Sequence, residues 1–251
     1  MTDPAWTWVF LGASAFLAGA MNSIAGGGTL LTFPALMGVL PPAMANATST
    51  VALLPGSLAG AWGYRAELAS VRDTATMLLP ASLLGGLLGA GLLVAYPDAF
   101  GALVPWLILT AAILFLVQPL VSKALKRNPH RVVSPAFVVA FQFGVAVYGG
   151  YFGAGIGILM LAALGFLAIG NIHQMNAVKT LLAAAINAVS VVLFIAADLV
   201  EWKYALAMAA AAIAGGYAGA RVARRLPAKV VRWVVVAVGF GLAAYYFVSA
   251  L

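Results

Sequence analysis

Two stretches of the chain concentrate the residues that could do chemistry. The first is "MNSIAGGGTLLTFP", Met21 to Pro34, which holds Asn22 and the run Gly26, Gly27 and Gly28. The second is "GGYFGAGIG", Gly149 to Gly157, preceded by Tyr148 and containing Gly150, Gly153 and Gly155. Glycine runs interrupt helices, and a helix restarting beyond one has unpaired N–H groups at the positive end of its dipole. That is an anion-binding device built from backbone alone. Each cluster is followed by an Asn-Ala-x-x-Thr set: Asn46, Ala47 and Thr50 in one case, Asn176, Ala177 and Thr180 in the other. Positions four apart share a helix face, so each set presents an amide and a hydroxyl together. The alternative for these sets is plain interhelical hydrogen bonding. Ser49 in the first set corresponds to Lys179 in the second. Lys179 has two readings of equal weight. An ammonium at membrane depth is functional by default, but a lysine about two turns from a loop at His173 can also snorkel to the interface. Gln142 and Asn187 are weaker polar candidates, and His173 reads as an interfacial loop residue.

Missing residue types narrow the chemistry further. There is no cysteine, which excludes disulfides, thiolate chemistry and cysteine-ligated metals. All six carboxylates (Asp3, Glu67, Asp73, Asp98, Asp198 and Glu201) fall at segment ends or in connections. A metal-cation carrier or an acidic proton relay would put such groups inside the membrane. The spacing Gly150-x-x-Gly153-x-Gly155 echoes a dinucleotide fingerprint without its βαβ setting, and neither cluster continues into Gly-Lys-Ser/Thr. No cofactor or metal is therefore expected. An enzyme would need a nucleophile with its base, or a carboxylate pair, at depth, and His130 and His173 both read as loop residues. What remains is amides, hydroxyls, helix N-termini and one ammonium, a donor set suited to a small anion.

The elements that must position these groups are membrane helices. Of 251 residues 65% are hydrophobic and 8% charged, with a mean hydropathy of +1.08, whereas about a quarter of a soluble domain is charged. Apolar runs fall at 5–24, 29–40, 44–62, 74–95, 100–121, 134–152, 156–169, 174–197, 203–221 and 231–250. A crossing helix needs about 20 residues. The runs 29–40 and 156–169 fall short, and each follows a glycine cluster, so each reads as the return arm of a re-entrant hairpin. With two hairpins, the basic connections at 63–73, 122–134 and 221–232 share one side, which is then cytoplasmic. The formal charge of +7 is thus loop charge against a lipid bilayer, and no nucleic-acid partner is implied. Asp3 is the only early charge, so the N-terminus does not read as a signal peptide.

The two clusters belong to an internal repeat. Shifted by 130, Asn46, Ala47 and Thr50 fall on Asn176, Ala177 and Thr180, and "GGLLGA" from Gly85 falls on "GGYAGA" from Gly215. Near the clusters the shift is 128, placing Gly27 on Gly155. The first membrane repeat covers 1–125 and the second 132–251, with 122–134 a basic cytoplasmic linker. Each half holds one Gly-broken hairpin and three spans. Three is odd, so the second half enters inverted. The expected fold is an all-α polytopic membrane protein built as an inverted repeat, with its site between the repeats near the midplane. The spaced glycines Gly85 and Gly89, like Gly215 and Gly219, read instead as close-packing positions.

At "NSIAGGGTLLTFPALM" (Asn22 to Met37), "LPPAMANATST" (Leu40 to Thr50), "GAWGYR" (Gly60 to Arg65), "YGGYFGAGIGI" and "MNAVKTLLAAAINA" the chain resembles the TauE/SafE family of bacterial permeases, the sulfite exporter group. The resemblance runs from about Phe16 to Tyr246. It implies an inner-membrane, multi-pass carrier of sulfite, sulfonates or related small anions, and it implies export by analogy alone. By motif match it implies a substrate site of Asn22, Gly26, Gly27, Gly28, Asn46, Ser49 and Thr50 in the first half. In the second half the match gives Tyr148, Gly150, Gly153, Gly155, Asn176, Lys179 and Thr180. Ala154 and Ile156 stand where the first half has Gly26 and Gly28, so the two tips need not contribute equally. An anion channel, or an importer of small organic carboxylates, could use the same donors, and a homodimer is compatible with the chain.

The absence of cysteine makes topology directly measurable. A single cysteine introduced at Ser70 should react with a membrane-impermeant thiol reagent only from the cytoplasmic face of inverted vesicles. Labelling from the outside alone would reverse the assignment.

Overall fold

The computed structural model describes residues 4–24, 27–127, 134–167, 172–222 and 228–249. Among them are eleven helices and no strand: α1 (Ala5–Ile24), α2 (Thr29–Met37), α3 (Pro42–Gly63), α4 (Arg65–Ala69), α5 (Arg72–Ala95), α6 (Pro97–Arg127), α7 (Pro135–Tyr151), α8 (Ile156–Phe166), α9 (Ile172–Ala196), α10 (Trp202–Val222) and α11 (Ala228–Ser249). Prolines Pro42, Pro97 and Pro135 open their helices, where a missing N–H costs nothing. Among the described residues, 72–95, 97–120 and 173–196 are long and apolar enough to cross a bilayer alone. Large apolar side chains, including Leu58, Leu84, Leu120, Leu206 and Val248, face outward, as hydrocarbon solvent requires.

The short arms α2 and α8 do turn back. Trp8 near the start of α1 stacks on Tyr204 near the start of α10, with centroids 5.3 Å apart. The Glu201 N–H before α10 donates to Thr48 Oγ1 in α3 at 3.0 Å. Pro42, which opens α3, lies against Gly101 in the first turns of α6. The starts of α1, α3, α6 and α10 therefore share one end of the molecule. It follows that α1 runs inward and α2 returns to the end where α1 began. At the other end, Gln174 near the start of α9 donates through Nε2 to Ser70 Oγ in the α4–α5 turn at 2.8 Å. That agrees with the hairpin reading, in which the connection 63–73 and the end of α8 lie on the same side.

Packing is exchanged between the halves. Helix α1 lies along α10, and its counterpart α7 lies along α5. Helix α3 packs on α10 while α9 packs on α5, and α3 also meets α9. These interfaces are tight because they are lined by glycine. A β-carbon on Gly150 would run into the Gly86 backbone of α5, one on Gly89 would strike the Val147 carbonyl of α7, and one on Gly86 would meet Ile186 and Val189 of α9. The α1–α10 pair repeats the device, with Gly215 on the Phe16 backbone and Gly19 on Ala212. Gly85, Gly89 and Gly215 are thus packing positions, as their spacing suggests. Close backbone approach maximises dispersion where lipid removes any hydrophobic drive between helices.

Several boundaries differ from the sequence reading. Residues 65–69 form the short helix α4 inside the basic connection, a segment too brief to show periodicity. Helix α2 stops at Met37 rather than continuing to 40. Helix α6 runs through to Arg127 across much of the stretch assigned to the 122–134 linker, because its leucine-, alanine- and lysine-rich end favours helix despite the charge.

Gly85→Leu and Gly89→Leu should each force α5 and α7 apart and lose the folded, monodisperse protein on size-exclusion chromatography. Overpacking of this kind costs about 1–3 kcal/mol or more. Gly91→Ala, where a β-carbon meets nothing within 4 Å, should leave the thermal midpoint in detergent unchanged.

Candidate functional site

Each break rests on glycines in a left-handed conformation that other residues rarely adopt. At the first, Gly27 has φ 96°; at the second, Gly153 and Gly155 have φ 84° and 80°. Both breaks abut the same turn of α6. A β-carbon on Gly27 would meet the Phe115 ring, and one on Gly155 would stand 3.2 Å from Leu114 Cδ1 and near Ala111. Residues 111 to 115 of α6 thus back both tips.

The first tip satisfies much of its own backbone. The Gly28 N–H donates to Asn22 Oδ1 at 2.8 Å, so an amide six residues upstream caps the N-terminus of α2. The Leu30 N–H turns to Gly27 O, and the Leu31 and Thr32 N–H groups turn to Gly28 O. Beside it, Ser49 Oγ and Thr32 Oγ1 lie 2.6 Å apart, both fully buried. Thr50 Oγ1 donates to the Asn46 carbonyl within its own helix at 2.8 Å. Gly26 lies outside the described residues.

The second break is flanked from both halves. From α3, Asn46 Nδ2 donates to the Tyr151 carbonyl at the end of α7, at 3.2 Å. Asn46 is 1% exposed, and its Oδ1 has no hydrogen-bond partner among the described residues. Within the break, Tyr148 Oη donates to the Ala154 carbonyl at 2.8 Å, closing the loop on itself. From α9, Lys179 lays its stem over Gly157, with Cδ 3.2 Å from where a β-carbon there would stand. Its Nζ donates to Asn176 Oδ1 at 2.9 Å. A side chain at 157 would crowd the lysine's methylenes, so glycine in the first turn of α8 makes room for the Lys179 stem. Thr180 turns its methyl toward Gly60 of α3. Gly150 is engaged in the α5–α7 packing rather than in the break itself.

Two features of this region escaped the sequence reading. Phe33 on α2, Phe100 on α6 and Phe152 in the second break form a fully buried aromatic cluster, with Phe33 and Phe152 centroids 5.2 Å apart and edge-to-face. Tyr151 joins through Phe100 at 5.2 Å. Thr32 and Thr48 carry buried hydrogen bonds, and only their position beside the motifs could have flagged them. The weak candidate Gln142 is fully buried and donates through Nε2 to Ser82 Oγ at 2.9 Å, its Oε1 unpaired among the described residues.

Among the described residues the buried polar side chains are all neutral: threonines, serines, Asn46 and Gln142. No cluster of three potential metal ligands occurs among them. The second break therefore carries a cation on one edge, an amide on the other, and no acidic competitor close by. Such a constellation can hold an anion's oxygens through charge-assisted hydrogen bonds.

Comparison with known proteins agrees with this architecture. Residues 11–246 match the family model described as sulfite exporter TauE/SafE. The chain is 31% identical over 242 residues to the probable membrane transporter protein ORF9 of a Sinorhizobium species, covering 93% of this chain and 90% of that protein. It is 30% identical over 232 residues to a probable membrane transporter protein of Haemophilus influenzae, covering 91% and 90%. Against the probable membrane transporter protein YfcA of Escherichia coli K12 the identity is 30% over 234 residues, covering 92% and 86%. No solved structure matches. A helical chain with long apolar spans, matched end to end by this family model, is a membrane transporter and belongs to the sulfite exporter TauE/SafE family.

Proposed function

We propose that the protein is a secondary carrier that exports small anions across the bacterial inner membrane, with sulfite, an organosulfonate or a related sulfur-containing anion as cargo. The observation that carries this reading is the second break: Asn46 from one half and Lys179 from the other hold its two edges. A site made jointly by two halves is remade whenever one half moves against the other, which is what alternating access needs. We read the halves, 1–125 and 132–251, as inverted units. The matched pairings of α1 with α10 and α7 with α5 support that reading. The substrate would exchange the Lys179–Asn176 bond for its own oxygens, freeing the Asn176 amide to turn its donors inward. Sulfite and sulfonates offer three oxygens in a tripod, suited to an ammonium and amide N–H groups converging from different helices. The aromatic cluster of Phe33, Phe100 and Phe152 lies beside the break, toward the end where α3 and α6 begin. In this account it is the seal on that side.

Radiolabelled sulfite uptake into proteoliposomes tests the reading. Lys179→Met and Asn46→Ala should each cut uptake roughly 10- to 100-fold, the loss expected for a charge-assisted bond or for disrupting the buried amide bridge. Thermal midpoint and chromatographic profile in detergent separate that loss from misfolding, and Gly157→Val should mimic Lys179→Met by displacing the lysine. Normal uptake in both Lys179→Met and Asn46→Ala would remove the site. Unitary currents in planar bilayers would make the protein a channel. A thermal shift by small carboxylates, with none by sulfite, thiosulfate or taurine, would change the cargo.

A further inference from the structure

Away from the breaks, a cleft of about 430 Å³ opens where α3 bends through α4 into α5. Its walls are mostly apolar, with Leu58 and Trp62 from α3, Leu68 from α4 and Leu181 from α9. Two arginines, Arg65 and Arg72, are among its lining residues. Arg65 is held in place: its Nη1 donates to the Trp62 carbonyl at 3.3 Å, and its guanidinium lies 5.4 Å from the Trp62 ring centre. Glu67 and Asp73 are close in sequence, yet neither arginine forms an ion pair with a carboxylate among the described residues. Trp62 is 72% exposed and Leu58 50%. The cleft also joins the two halves, because α9 forms one wall and Gln174 fastens it to Ser70 at the α4–α5 turn.

We propose that this cleft is a binding site for an anionic phospholipid, the phosphate on Arg65 and Arg72 and an acyl chain along Leu58, Trp62, Leu68 and Leu181. Charge selects the ligand's sign, and shape selects its class. A free inorganic anion would gain nothing from four apolar walls, and a zwitterionic choline lipid would bring its own cation against two arginines. An arginine pair offers planar donors that match phosphate geometry. Tryptophan settles where lipid headgroups meet hydrocarbon, which is the depth at which such a molecule changes from charged to apolar. Basic pockets between helices are the setting in which lipid headgroups are bound.

Native mass spectrometry and thermal unfolding of the detergent-purified full chain test this, with cardiolipin, phosphatidylglycerol, phosphatidylcholine and inorganic phosphate as separate ligands. Cardiolipin or phosphatidylglycerol should remain bound and raise the midpoint, and phosphatidylcholine should do neither. The double variant R65Q/R72Q should lose at least about 10-fold in retention of the anionic lipid, with R72Q alone giving a partial loss and R65K/R72K a loss smaller than that of R65Q/R72Q. If the double variant fails to fold, the two single variants carry the same test. Equal retention of phosphatidylcholine, unchanged retention in the arginine-to-glutamine variants, or a full thermal shift from inorganic phosphate alone would overturn the proposal.

Discussion

The structure depends on one constraint. A backbone that leaves helical geometry inside an apolar protein must find partners for its N–H and C=O groups, at a cost of several kcal/mol for each one left bare. Each break in this chain answers that demand with polar side chains drawn from nearby. Asn22 caps Gly28, Tyr148 reaches Ala154, and Asn46 crosses from the other half to Tyr151. The turn of α6 around residues 111–115 closes apolar surface over both tips. Neutral amides and hydroxyls are the affordable currency here, since a buried carboxylate would need a partner that the described core does not contain.

The two breaks sit at matching places in the sequence, Gly27 aligning with Gly155, and their details differ. Ser49 pairs with Thr32 in a small buried hydroxyl contact, while its counterpart Lys179 brings a cation to Asn176 and over Gly157. Asn46 bridges to the opposite half, whereas Asn176 accepts from a lysine one turn along its own helix. Among the described residues, the first break thus satisfies much of its own backbone and carries no charge. The second carries the charge, which is why the proposed anion site centres on it.

Much of this was legible in the sequence for definite reasons. Long apolar runs and proline helix starts locate the helices, and the duplicated glycine clusters locate the breaks, because neither signal depends on tertiary contact. The packing role of Gly85 and Gly89 was also readable from small-xxx-small spacing. Partner choice was not. No periodicity says that Asn22 would turn back to cap Gly28, and the contacts of Gly150 in the α5–α7 interface and among Phe33, Phe100 and Phe152 join positions far apart in the chain. Helix α4 was hidden because a single turn has no period to detect.

The central claim, that an anion binds at the second break between Asn46 and Lys179, is most directly tested by locating a bound anion. Crystals soaked with selenite, a heavier analogue of sulfite, should give an anomalous peak within hydrogen-bonding distance of Lys179 Nζ, beside the Gly153–Gly157 turn. A peak confined to the arginines of the 63–73 connection, with none at the break, would contradict the account.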